Sequence, residues 1–264
     1  MPYDHLLAPI SLRGLELTNR VVFPAMATGF VAPGGYVTDQ LIAYHVARVV
    51  GGSGLNVTEA TSIHAPSAPG CFLNISGDEF VPGLRRFTDA IHAAGGRTAV
   101  QLWQGGLAAW GFDPAHLELI SPSGLPTPAG LVPGSTPEKI AEVVAAWGAA
   151  AARAVEAGFD AIEFHCAHNY SPHAFLSPAL NQRMDEYGGS AANRARYPLA
   201  AIAAVRAAMP DDMPLLMRID AQDDELPGGL TVDDVIAFSL LAHEAGVDAL
   251  DVSRGNVVTS AIRY

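Results

Sequence analysis

One junction occurs twice in this chain, as AGFDAIEFH at 157–165 and AGVDALDVS at 245–253. Each time an Ala-rich helical pattern stops at a glycine, and an apolar run of strand length begins at once. GGSGLNVTE at 51–59 and AGGRTAVQL at 94–102 have a related shape. Helices delivered so directly into apolar strands imply right-handed β–α–β units on a parallel sheet. Candidate strands lie at 20–23, 55–59, 98–102, 161–165, 214–219 and 249–252, and candidate helices at 39–49, 79–94, 137–157, 191–209 and 232–245. The expected fold is α/β: a (β/α)8 TIM barrel, here incomplete with about six β/α units, in one domain over 1–264. No G-x-G-x-x-G or G-x-x-x-x-G-K-[ST] follows a strand, so the nucleotide-binding sheets lack their main signal.

The helix at 137–157 shows why the alternation is credible. Thr136 can cap it, and Pro137 suits a first position whose N–H has no partner anyway. Ile140, Val143, Val144, Trp147, Ala151 and Val155 form one apolar stripe, and Gly158 stops it.

Composition narrows the classes of function. A net charge of −12 opposes binding to nucleic acid or an anionic membrane. No apolar run approaches the roughly 18–20 residues of a membrane span, and the first residues lack the pattern of a signal peptide. The only cysteines, Cys71 and Cys166, are far apart, which predicts cytoplasmic thiols and no metal site. A homo-oligomer is compatible with all of this.

Chemistry-bearing residues gather where the strands end. Glu59 and Thr61 follow the second, and Gln101 and Gln104 the third. His165, His168 and Tyr170 follow the fourth, Arg218, Asp220 and Asp223 the fifth, and Asp251, Ser253 and Arg254 the sixth. In a barrel all of these ends open on one face, so the set converges there. Two readings compete at the fourth strand. The histidines, three apart, could serve as zinc ligands, and Tyr170 could simply cap the barrel. The remaining histidines, His173 among them, read as surface or packing residues. Asp185, Glu186, Arg183 and Arg194 read as an ion-paired loop, and the run 223–225 as a solvated loop.

Several blocks, in order, resemble the old yellow enzyme family of FMN-dependent oxidoreductases. They are LLAPISLRGLELTNRVVFPAM, GLNVTEATSI, QLWQGG, HCAHNYSPHAFLSPALNQRMDEYGGSAANRAR, MRIDAQD and LDVSRGN. The resemblance implies a reductase of activated alkenes, meaning α,β-unsaturated ketones, aldehydes or enoyl compounds, with NAD(P)H as electron donor. It places Ala25, Met26 and Ala60 against FMN through their backbone. Gln101 falls at the flavin pyrimidine edge and Arg218 beside N1 and O2. His165 and His168 grip the substrate carbonyl, and Tyr170 donates the proton. Gln104, Ala27 and Asn169 depart from the family pattern, which often has His, Cys or Thr, and Gly there. The cysteines of the family's iron–sulfur subgroup are absent, so no cluster is expected. The seventh and eighth strands, which hold the FMN phosphate in the family, are expected to be missing. The alternative to an enzyme is therefore a non-catalytic barrel portion that needs a further part or partner.

Overall fold

The computed structural model describes residues 3–106, 117–127, 130–223 and 226–255. Six parallel strands follow one another in space as in sequence: β1 (Val22–Phe23), β2 (Leu55–Ser62), β3 (Thr98–Trp103), β4 (Ala161–Cys166), β5 (Leu215–Asp220) and β6 (Ala249–Ser253). A short strand, Leu73–Asn74, pairs with the end of β2. Helices α1 (Asp39–Val50), α2 (Val81–Ala93), α3 (Pro137–Glu156), the short α4 (Ser171–Leu176), α5 (Ala191–Ala207) and α6 (Val232–Glu244) lie between the strands. This is an incomplete (β/α) barrel, as the junctions predict.

Strand residues alternate between two environments, as period-two geometry requires. Val100, Leu102, Ile162, Phe164, Leu215, Met217 and Ile219 face outward into one core with Leu84, Phe87, Trp147 and Ile202 of the helices. Trp147 meets Phe164 at 4.4 Å between ring centroids. Its indole N–H donates to the Tyr197 hydroxyl at 3.2 Å. That hydroxyl lies 2.7 Å from Ser171, so α3, α5 and the start of α4 share one buried chain of hydrogen bonds.

The inward residues form layers, as barrel interiors do. The floor is apolar: Val57, Ala99, Ala161 and Leu216 pack together with Leu55, Leu15 and Leu17. Leu15 and Leu17 belong to a hairpin of Ile10–Leu12 with Leu15–Leu17, which sequence reading missed. Arg13 at its tip donates to Asp248 at 2.9 Å and to the Asp211 carbonyl at 2.6 Å, fastening the hairpin under β5 and β6. Two residues further along each strand the interior turns polar, with Gln101, Glu163, Arg218 and Asp251. Beyond these, near the mouth, come Trp103, His165, Asp220 and Ser253.

β6 has no partner on its outer edge among the described residues. Beside it, Ile236 and Leu240 of α6 and Leu250 and Val252 of β6 are exposed and line an apolar hollow of about 470 Å³. No described helix is long and apolar enough to cross a membrane.

Candidate active site

β4 ends at Cys166, and the chain reverses at once. His168 and Asn169 both take left-handed backbone conformations, with φ of +60° and +62°. For His168 that is costly, by roughly 1–2 kcal/mol, whereas Asn adopts it readily. At 169, where the resemblance leads one to expect glycine, Asn supplies the left-handed backbone. The Asp220 carboxylate on β5 accepts the His168 N–H at 2.6 Å and holds the reversal in place.

The reversal folds three rings into one cluster. His165 stands 5.2 Å from His168 and 4.8 Å from Tyr170 between centroids, nearly edge-on in both cases. His168 and Tyr170 are 6.1 Å apart. Trp103 braces Tyr170 from behind, edge-on at 5.2 Å. Sequence spacing predicts this convergence, and the structure brings all three together.

The two histidines are neutral. Burial, reinforced by His168 and Arg218, holds His165 well below the usual imidazole range. Burial lowers His168 as well, with Asp220 opposing and Arg218 assisting. The Ala167 N–H points at His165 Nδ1 from 3.2 Å, so Nδ1 accepts and Nε2 carries the proton. Nε2 of His168 lies 2.6 Å from the Ser253 hydroxyl, which in turn accepts from Arg218 at 3.4 Å. Nε2 also lies 3.4 Å from an Asp220 carboxylate oxygen, so Ser253 and Asp220 together hold the ring in place.

Under this cluster, Gln101 on β3 and Arg218 on β5 flank β4. Gln101 pairs in register with Ala60 and with Glu163, and Arg218 pairs with His165. Gln101 donates to Glu163 at 2.7 Å, and Arg218 to Asp251 at 2.8 Å. Ala25 packs partly against the floor, and Met26 is exposed. Their segment is pinned by Glu59, whose carboxylate accepts from the Thr28 amide at 2.8 Å and the Thr28 hydroxyl at 2.5 Å.

Three sequence expectations need correction. His173 is not a surface or simple packing residue. It is buried between two carboxylates, with Nδ1 3.2 Å from Asp220 and Nε2 2.7 Å from Asp223. Burial opposes its charge, but the bonds to Asp220 and Asp223 outweigh burial and push its pKa up to about 9. The Asn169 N–H also points at Nδ1 from 3.3 Å. A charged ring cannot accept it, so the contact to Asp220 is the one that binds. Asp223 is likewise no solvated loop residue: it holds His173, the Ser177 hydroxyl at 2.6 Å and the Leu230 amide at 2.9 Å. Residues 224 and 225 lie outside the described residues. Gln104, a strand-end candidate, is turned away into the loop. Its amide donates to Ser67 at 2.9 Å and its oxygen accepts from Gly106 at 2.8 Å. The missed signals were periodic: Glu163 shares a strand face with His165, and His173 lies one helical turn beyond Tyr170.

Against this geometry the comparisons are specific. The chain belongs to the NADH:flavin oxidoreductase / NADH oxidase family, which it matches over residues 5–264. That family's cofactor is FMN, with NADH or NADPH as the electron donor. It is similar to a metal reductase of Desulforamulus reducens, 38% identical over 258 residues that make up 95% of this chain and 37% of the relative. It is also similar to an NADPH dehydrogenase of Listeria monocytogenes, 38% identical over 97% of this chain and 75% of the relative. Among solved structures, an old yellow enzyme from Pichia sp. AKU4542 superposes with a TM-score of 0.83 and 28% identity, over 94% of this chain and 70% of its own. The chain thus spans between about a third and three quarters of the proteins it resembles.

Proposed function

We propose that this chain carries the flavin- and substrate-facing side of an ene-reductase, which reduces the C=C bond of α,β-unsaturated carbonyl compounds with NAD(P)H. The observation that carries the reading is the convergence of His165, His168 and Tyr170 directly above Gln101 and Arg218.

The residues fit the pyrimidine end of FMN. Gln101 spends its N–H on Glu163, which leaves its carbonyl oxygen as an acceptor for an imide N–H. Arg218 brings a permanent positive charge, and its buried Nε has no partner among the described residues. Ala25, Met26 and Ala60 contribute backbone. FMN, when bound, supplies two-electron chemistry, accepting hydride from NAD(P)H and passing it to an acceptor.

The chain's own groups do the rest. Hydride arriving at the β-carbon of an enone builds negative charge on the carbonyl oxygen. Neutral His165 offers Nε2–H to that oxygen, and the His168 imidazole stands beside it as the second group to grip the oxygen, both in place before charge develops. Tyr170 then gives its phenolic proton to the α-carbon. The Trp103 edge keeps the phenol from swinging away.

The test is a titration of the chain with FMN, followed by anaerobic reduction with NADH or NADPH and reoxidation by cyclohexenone. Saturable binding and reoxidation are expected. No flavin binding, either here or after extension by two further β/α units, defeats the reading. A second reading keeps the fold but requires a further part or partner before FMN binds, and the β6 edge, unpartnered among the described residues and beside exposed Ile236 and Leu240, favours it. Binding only after the extension would select this one.

A further inference from the structure

A carboxylate closed to water stands behind the ring cluster. Asp220 is the last residue of β5, its side chain is 1% exposed, and both of its oxygens bear on His168. Oδ2 accepts the His168 N–H at 2.6 Å and lies 3.2 Å from Nδ1 of His173. Oδ1 is buried and accepts no hydrogen bond among the described residues. It lies 3.4 Å from Nε2 of the His168 ring. A buried carboxylate oxygen without a donor is costly, so one that faces a ring of the site calls for a functional reason.

We propose that Asp220 is a positioning residue for the reduction: its Oδ1 stabilises positive charge on the His168 ring while negative charge builds on the substrate oxygen that the ring grips. Oδ2 and His173 keep the carboxylate aimed. The proposal deepens the ene-reductase reading of the site and rests on it for the substrate. Asp220 touches neither substrate nor cofactor in this scheme, and no bond or proton changes hands at it. It acts through His168.

The surroundings of His168 suit that task. A carboxylate behind an imidazole orients the ring and favours its positive form without taking the proton itself. At rest burial keeps the ring neutral, and Asp220 is the largest influence pulling the other way. Asp251 on β6 also favours charge on the ring, while Arg218 on β5 and His173 on α4 oppose it. Neutral His165, Tyr170 and the Ser253 hydroxyl complete the groups around it. His173, charged between Asp220 and Asp223, leaves those three groups with a net charge of −1. Negative charge is therefore already fixed on one side of His168 before the substrate oxygen becomes negative, and positive charge drawn onto the ring is stabilised without any group having to move.

Asp220→Asn separates charge from scaffolding, because an amide oxygen can still accept the His168 N–H. In flavin-free protein, proton–nitrogen NMR of the histidine rings, with His168 assigned by its loss in His168→Asn, should show the His168 midpoint falling by about 1–3 pH units in Asp220→Asn. A midpoint that stays or rises overturns the proposal. If Asp220→Asn does not fold with His173 left charged, Asp220→Asn combined with His173→Gln removes both charges and keeps their shapes. The midpoint should fall there too, by less, because Asp220 outweighs His173 in the parent. With FMN bound, reoxidation by cyclohexenone should slow by about tenfold or more in Asp220→Asn, short of the roughly 10²–10³ that loss of an oxyanion donor costs, while FMN affinity holds. Reoxidation at the parent rate makes Asp220 a scaffold only and overturns the proposal. A fallen midpoint in a chain that binds no FMN, even when extended, overturns the ene-reductase reading and the role in reduction with it, and supports the action of Asp220 on His168.

Discussion

His173 and Asp223 face each other at 2.7 Å with both side chains closed to water. With Asp220 on the other ring nitrogen, a buried imidazolium sits between two buried carboxylates. This ion cluster lies directly behind the reversal that assembles the site, because Asp220 also accepts the His168 amide.

Stability should follow the charges of this cluster. The His173 pKa is raised, so its contribution is complete below the ordinary 6.5 and is lost as pH climbs through about 9. Asp223 is lowered because its bonds from His173 and Ser177 outweigh burial, so its contribution is complete above the ordinary 3.8 and lost as pH falls through the depressed value. His173→Gln breaks a buried ion cluster and should cost about 3–5 kcal/mol between roughly pH 4 and 6.5. Urea unfolding at several pH values checks this, and the gap from the parent protein should narrow toward pH 9. A gap that stays constant with pH would mean that His173 is held neutral.

Gly106 makes a sterically sharper case. Its φ is +58°, and a Cβ there would sit 2.8 Å from the Ser171 nitrogen, next to Tyr170. Gly189 has a φ of +76° with nothing within 4 Å of the same position. Gly189→Ala should cost only backbone strain, roughly 1–2 kcal/mol. Gly106→Ala should cost a further ~1–3 kcal/mol for the displaced chain. Thermal unfolding of the two variants gives the difference directly, and equal losses would contradict the close approach.

Tyr170→Phe keeps the ring against Trp103 and removes only the phenol. In a flavin-loaded protein, reduction by NAD(P)H should continue at the parent rate, while reduction of an enone should slow by roughly 10²–10⁴. Stopped-flow measurement of the two half-reactions separates them. An unchanged oxidative half-reaction would move the proton-donor role to water or another group.

The outer face of α6 predicts association. Ile236 is 53% exposed and Leu240 62%, beside the edge of β6 that no described strand covers. Edges and apolar patches of this kind pair with other chains. Ile236→Lys with Leu240→Glu should reduce concentration-dependent association in sedimentation. A parent chain that stays monomeric at every concentration would count against this.

The barrel was legible because its signals are local. Each glycine-ended helix feeds a strand within a few residues, and β4, β5 and β6 lie within a residue of their expected limits. The ring cluster was legible for the same reason, since His165, His168 and Tyr170 span only six positions. Long-range arrangements were not. The hairpin of Ile10–Leu12 with Leu15–Leu17 looks like loop until Leu15 and Leu17 are seen filling the floor. His173 on an apolar stretch resembles packing because its partners come from the end of β5 and the segment after it, some fifty positions away. α5 continues through Pro198, which removes a backbone donor, because Tyr197 and Ile202 on either side are locked into the core.

The same hairpin has a consequence for how the molecule comes into being. Its tip is held by Asp211, Asp212 and Asp248, some two hundred positions downstream. A nascent chain emerges from the ribosome start first, so the bonds that fasten the hairpin tip cannot form until β5 and the residues before β6 have been synthesised, although the hairpin itself was made first.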